Sequence, residues 1–73
     1  MKMEITELDY VHALLKEAGE KGMSVDEFRK KIGVSYKEAK TSMDDFAKIN
    51  NRAVKNSVRT EGKGAEQRYY LKQ

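Results

Sequence analysis

Residues 24–39 read Ser24-Val25-Asp26-Glu27-Phe28-Arg29-Lys30-Lys31-Ile32-Gly33-Val34-Ser35-Tyr36-Lys37-Glu38-Ala39, and they hold two helix starts in tandem. Ser24 with Glu27, and Ser35 with Glu38, each have the Ser-x-x-Glu spacing of a capping box. In that box the serine hydroxyl accepts from an orphan N–H, and the glutamate reaches back to the serine's own N–H. Met23 and Phe28 have the spacing of a hydrophobic staple across the first cap. Gly33 follows Ile32, where a helix end needs a residue that tolerates a left-handed turn. The stretch therefore predicts a short helix over 25–32, a tight Gly33-Val34-Ser35 turn, and a longer helix starting at Tyr36.

Upstream, Ile5, Leu8, Val11, Leu15 and Ala18 recur at three- and four-residue steps, with Leu14 widening the stripe. This predicts a helix over 7–18, capped by Thr6 and stopped at Gly19 or Gly22. His12 lies beside the stripe and reads as a partly buried helix residue. Gly22-Met23-Ser24 is too short for a free strand, yet it can add one or two ladder bonds to a later hairpin. Downstream, Ala39, Met43, Phe46 and Asn50 share one side of a helix over 36–50, flanked by Ile49, with Asn50-Asn51 as the exit. The opposite side presents Lys37, Thr41, Asp44 and Lys48, with Lys40 alongside.

The period then changes. Val54, Asn56, Val58 and Thr60 alternate with Lys55, Ser57 and Arg59, as in a half-buried strand. Glu61-Gly62-Lys63-Gly64 forms a glycine-rich reversal, and Gln67-Arg68-Tyr69-Tyr70-Leu71 returns as a second strand. A two-stranded hairpin over 53–71 is marginal alone, so its apolar side is expected to pack on the helices. Tyr69 and Tyr70 alternate, so one packs inward and the other faces out.

Seventy-three residues make one domain, 1–73, small enough that core packing and local signals must both contribute. There is no cysteine, which removes disulfides and thiolate metal sites. No apolar run approaches a membrane span, and Met1-Lys2-Met3-Glu4 does not open a signal peptide. A soluble, cytoplasmic protein is expected. With a single histidine, no carboxylate spacing that suggests a transition-metal site, no Gly-rich phosphate loop and no nucleophile beside a base, neither catalysis nor a cofactor or metal is expected.

Charge is unevenly placed. Residues 1–23 carry three Lys against five Asp/Glu, a net of −2; residues 24–50 carry six Lys/Arg against five, a net of +1. Residues 51–73 carry six Lys/Arg against Glu61 and Glu66, a net of +4. An acidic front and a basic back suggest a molecule that turns one face to a polyanion.

Two helices joined by a short glycine-containing turn define the helix-turn-helix motif. Three helices followed by a basic-tipped hairpin resemble the winged helix-turn-helix domain of bacterial, archaeal and phage DNA-binding proteins. The resemblance spans nearly the whole chain in element order. Its sequence-specific part is Glu27-Phe28-Arg29-Lys30-Lys31-Ile32-Gly33-Val34-Ser35, similar to the family's Glu-Leu-Ala-Lys-Lys-Leu-Gly-Val-Ser. Two positions depart from the pattern: Arg29 stands where Ala usually packs between the helices, and Ser42 where a large apolar residue is common. The expected fold is α+β and mostly helical, a three-helix winged helix-turn-helix with a C-terminal two-stranded β-hairpin wing.

The resemblance implies that the third helix reads the major groove of double-stranded DNA and that the hairpin contacts the backbone or minor groove. Ser35, Tyr36, Lys37, Lys40 and Thr41 would then lie at the reading end. Lys37 or Lys40 is suited to guanine, and Thr41 to a thymine methyl or a phosphate. Arg59, Lys63 and Arg68 would flank or occupy the wing tip, where Gly62 and Gly64 permit close approach. Asp44-Asp45 weighs against deep insertion. A small transcriptional regulator follows, with a homodimer doubling its contacts across a palindrome. The alternative is a winged helix that binds a protein partner, as an adaptor in a nucleic-acid machine or a phage-type inhibitor.

Overall fold

The computed structural model of the protein describes residues 7–72; Ile5, the Thr6 cap and the Met1-Lys2-Met3-Glu4 opening lie outside them. Its elements run α1 (Glu7–Ala18), β1 (Met23–Ser24), α2 (Val25–Ile32), α3 (Tyr36–Ala53), β2 (Val58–Glu61) and β3 (Arg68–Leu71). The fold is α+β and mostly helical, a winged-helix-like arrangement of three helices and an antiparallel sheet. The first two helices keep the boundaries that periodicity and capping predict.

The capping box at Ser24 closes in both directions. Glu27 N–H donates to Ser24 Oγ (3.1 Å) and Ser24 N–H donates to Glu27 Oε1 (2.9 Å). Met23 and Phe28, the staple pair, are both buried. α2 ends at Gly33, whose φ of +71° is left-handed and whose N–H donates to the Arg29 carbonyl at 2.8 Å. A side chain would strain that backbone, which is the physical reason for glycine there.

The sheet has three strands in the order β1-β3-β2, so the last strand in sequence is central. The Met23-Ser24 ladder bonds form: Met23 pairs with Tyr69 and Ser24 with Arg68. On the other side Val58 pairs with Leu71, Arg59 with Tyr70, Thr60 with Tyr69 and Glu61 with Arg68. Gly22 admits this packing. A Cβ there would fall 2.4 Å from the Tyr69 carbonyl oxygen and 2.6 Å from the Tyr70 ring.

The core joins Val11 and Leu15 of α1, Met23, Val25 and Phe28, Ala39, Met43 and Phe46 of α3, and Val58 and Tyr69 of the sheet. Each fully buried side chain of that size contributes roughly 1.5–3 kcal/mol. Ser42 is buried beside this core, and its hydroxyl donates to Glu7 of α1. A hydroxyl that finds a carboxylate thus occupies the slot where a large apolar residue is common. Arg29 does not fill the α2–α3 packing position; it turns to Asp26, 2.8 Å away.

Three expectations are corrected. α3 continues to Ala53 rather than stopping at 50, and β2 begins only at Val58. Between them Val54 is 62% exposed, and Asn56 takes a left-handed φ of +60°, so residues 54–57 form a turn and not the start of a strand. Asn51 explains the longer helix. Its side-chain amide donates to the Val58 carbonyl (3.1 Å), and its carbonyl accepts from Val58 N–H (2.8 Å) and Ser57 Oγ (3.2 Å). Tertiary bonding overrides the poor helix propensity of asparagine. His12 is exposed rather than partly buried, stacked beside Phe46 with ring centroids 5.7 Å apart.

Candidate nucleic-acid interface

The start of α3 is held differently from that of α2. Ser35 Oγ accepts from Glu38 N–H at 3.2 Å, but the Glu38 side chain does not return to close a second box. It turns to Glu7 instead. The neighbouring Glu7 carboxylate raises the Glu38 pKa, while the Ser42 hydroxyl and then Glu38 lower that of Glu7. Two acidic groups therefore adjoin the first turn of the helix, alongside Ser35, Lys37 and Thr41. Tyr36, Lys37 and Thr41 are exposed here, as the sequence suggests.

Lys40 is engaged internally. Its Nζ lies 2.6 Å from Asp44 Oδ2, and the other oxygen of Asp44 accepts from the buried Tyr69 hydroxyl. Burial, followed by the bond to Asp44, pushes the Tyr69 phenol well above its ordinary range. Asp44 is thus a strap between α3 and the central strand, partly neutralised by Lys40. Asp45 alone remains as an exposed acid at that point.

The wing residues divide. Lys63 is exposed at the tip. Arg68 turns away from the tip toward α2: its Nε donates to the Lys21 carbonyl (2.7 Å) and its Nη1 lies 2.9 Å from Glu27 Oε1. Arg68 thereby binds the base of the wing to the start of α2. The Ser24 N–H, followed by the Arg68 charge, lowers the Glu27 pKa against partial burial. Arg59 lies on the sheet face away from α3, its guanidinium 4.6 Å above the Tyr70 ring centroid.

The eight residues anticipated from sequence therefore form no single patch. A different group does converge. A cleft of about 650 Å³ lies between α3 and the sheet, lined by Lys48, Arg52, Thr60 and Gln67 around Ala47 and Val58, with Asp44 and Asn51 also on its wall. Lys48 and Arg52 are one turn apart, exposed, and without an acidic partner among the described residues. Its sequence signal is the continuation of the Lys37–Thr41–Lys48 face by four residues, which a helix over 36–50 does not reach.

Among the described residues no helix is long and apolar enough to cross a membrane. No group of three or more His, Cys, Asp or Glu there is arranged to hold a metal ion. No protein-family model matches the chain, and no curated protein matches it significantly.

Proposed function

We propose that the protein belongs to the winged helix-turn-helix superfamily and binds double-stranded DNA, acting as a small cytoplasmic transcriptional regulator and not as an enzyme. The observation that carries this reading is the α3–sheet cleft. Lys48 and Arg52 stand on one wall, Thr60 and Gln67 on the other, and Lys37 and Thr41 extend the same helix face. Unpaired cations are suited to phosphate, and the polar wing residues are suited to the sugar–phosphate edge. A homodimer would present two such clefts to a palindrome.

Titration of random-sequence duplex DNA by fluorescence anisotropy at two salt concentrations tests the proposal. Micromolar binding is expected, weakening with salt by a slope of about 0.9 per phosphate neutralised. Lys48→Glu/Arg52→Glu should abolish it. Absence of binding by the folded protein at low salt would overturn the reading.

One observation favours the protein-partner alternative: the Glu7 and Glu38 carboxylates adjoin each other at the first turn of α3, where phosphate would be repelled. Under that reading Lys37→Glu leaves function intact, and the partner is basic.

A further inference from the structure

On the other side of the sheet from the α3 cleft lies a second groove, of about 480 Å³. Its floor is a pair of stacked groups. The Arg59 guanidinium lies over the Tyr70 ring, 4.6 Å from its centroid, and the ring packs so closely on Gly22 that a Cβ there would strike it. Arg59 and Tyr70 are direct cross-strand partners, so the pair is set by sheet register. Gly19 and Glu20, Asn56 and Ser57, and Lys72 complete its lining.

The cation of this pair is chemically unfinished. Arg59 is 68% exposed, and its only polar partner among the described residues is Glu61, 3.7 Å away and itself 59% exposed. At that distance and exposure the pair holds the guanidinium only weakly. Arg59 and Tyr70 both line the groove, and among the described residues only Glu61 meets the N–H donors of the cation. A guanidinium over an aromatic ring presents a preorganised surface for another π-system, and its edge suits phosphate or a base carbonyl. Lys72 adds a second cation within the groove, and Asn56 adds an amide able to meet a base edge.

We propose that this groove is a binding site for an unpaired nucleotide of single-stranded nucleic acid, its base stacked on the Arg59–Tyr70 pair and its phosphate held by Lys72. A base inside a duplex has its faces covered by neighbours, so the site selects single strands or unpaired ends. It does not rest on the duplex reading: Val58 and Thr60 face the α3 cleft, while Arg59 and Tyr70 face the opposite way.

The test uses a single-stranded DNA decamer carrying a central 2-aminopurine, whose fluorescence is quenched on stacking, together with anisotropy of an end label. Binding with quenching is expected. Arg59→Lys keeps the charge and removes the plane; it should weaken binding about tenfold, within the range for one stacked base, and abolish the quench. Tyr70→Leu should do the same, with circular dichroism verifying the fold. Lys48→Gln/Arg52→Gln should retain the quench, which separates this site from the duplex surface. A folded protein that does not quench the probe, or an Arg59→Lys variant that quenches like the parent, overturns the proposal.

Discussion

The two helix starts share one four-residue signature and come to different ends. At Ser24 the box closes, its staple residues Met23 and Phe28 are buried, and Glu27 is further held by Arg68 from the sheet. At Ser35 only the serine half forms, the equivalent staple pair is the half-buried Val34 with Ala39, and Glu38 is diverted to another carboxylate. A capping motif supplies a local option; the neighbours brought by the fold decide whether it is taken. The difference also separates roles: the first start is a structural joint, whereas the second remains open at the surface.

The comparison can be broken most forcefully through the staples. Phe28→Ala should cost roughly 3–5 kcal/mol in urea unfolding, near the whole stability of a domain this size, whereas Val34→Ala should cost about 1. A similar cost at both would show that the two starts are equally anchored.

The caps give the next largest effect. Ser24→Ala should lose about 1–2 kcal/mol, since Ser24 is buried and the Glu27 N–H loses its hydroxyl acceptor there; Ser35→Ala, at an exposed cap, should lose about 0.5–1. Arg68→Gln tests why the first start is stronger. It removes the bonds to Lys21 and Glu27 and should cost about 1 kcal/mol, reduced by the partial exposure of the pair. If the protein binds duplex DNA as proposed, Arg68→Gln should leave the salt slope unchanged, whereas Lys48→Gln should lower it by about 0.9. A slope that falls equally in both would return Arg68 to the DNA surface.

The smallest effects should have opposite signs. Glu27 has a folded-state pKa below its ordinary value of 4.5, so its contribution is full above that value and is lost as pH falls through the lowered one. Glu27→Gln should therefore be less stable than the parent at pH 7, with the difference shrinking toward pH 3. Glu38 is raised, so its ionised form is the disfavoured one and the penalty grows as pH rises through its folded-state pKa. Glu38→Gln, which gives Glu7 a permanent N–H donor, should be slightly more stable than the parent at pH 7 and equal to it at pH 3. Thermal melts across that range measure both.

Periodicity and caps made α1, α2 and the beginning of α3 legible because those signals lie within a few residues of each other. The end of α3 was not, since what sustains it is the bonding of Asn51 to Ser57 and Val58, a contact that exists only once the turn has formed. The extra turn bears on the site: a helix that stopped at 50 would exclude Arg52 and with it the cleft. Lys40 and Arg68 looked like free cations because their acceptors, Asp44 bound to Tyr69 and Glu27 with the Lys21 carbonyl, depend on how β3 is seated. Strand alternation shows that neighbours face opposite ways, but not which neighbour faces the helices.

Placing β3 in the middle of the sheet has a consequence for how the chain reaches its native state. Met23 awaits Tyr69, and Val58 awaits Leu71, so neither outer strand has any ladder partner until the last element has been synthesised. Helices can form as the polypeptide emerges from the ribosome, but the sheet and the burial of Tyr69 are late and concerted. A truncation before Arg68 would leave two exposed strand edges and an open core. Limited proteolysis that trims β3 should therefore collapse the whole domain at once, with no surviving three-helix fragment.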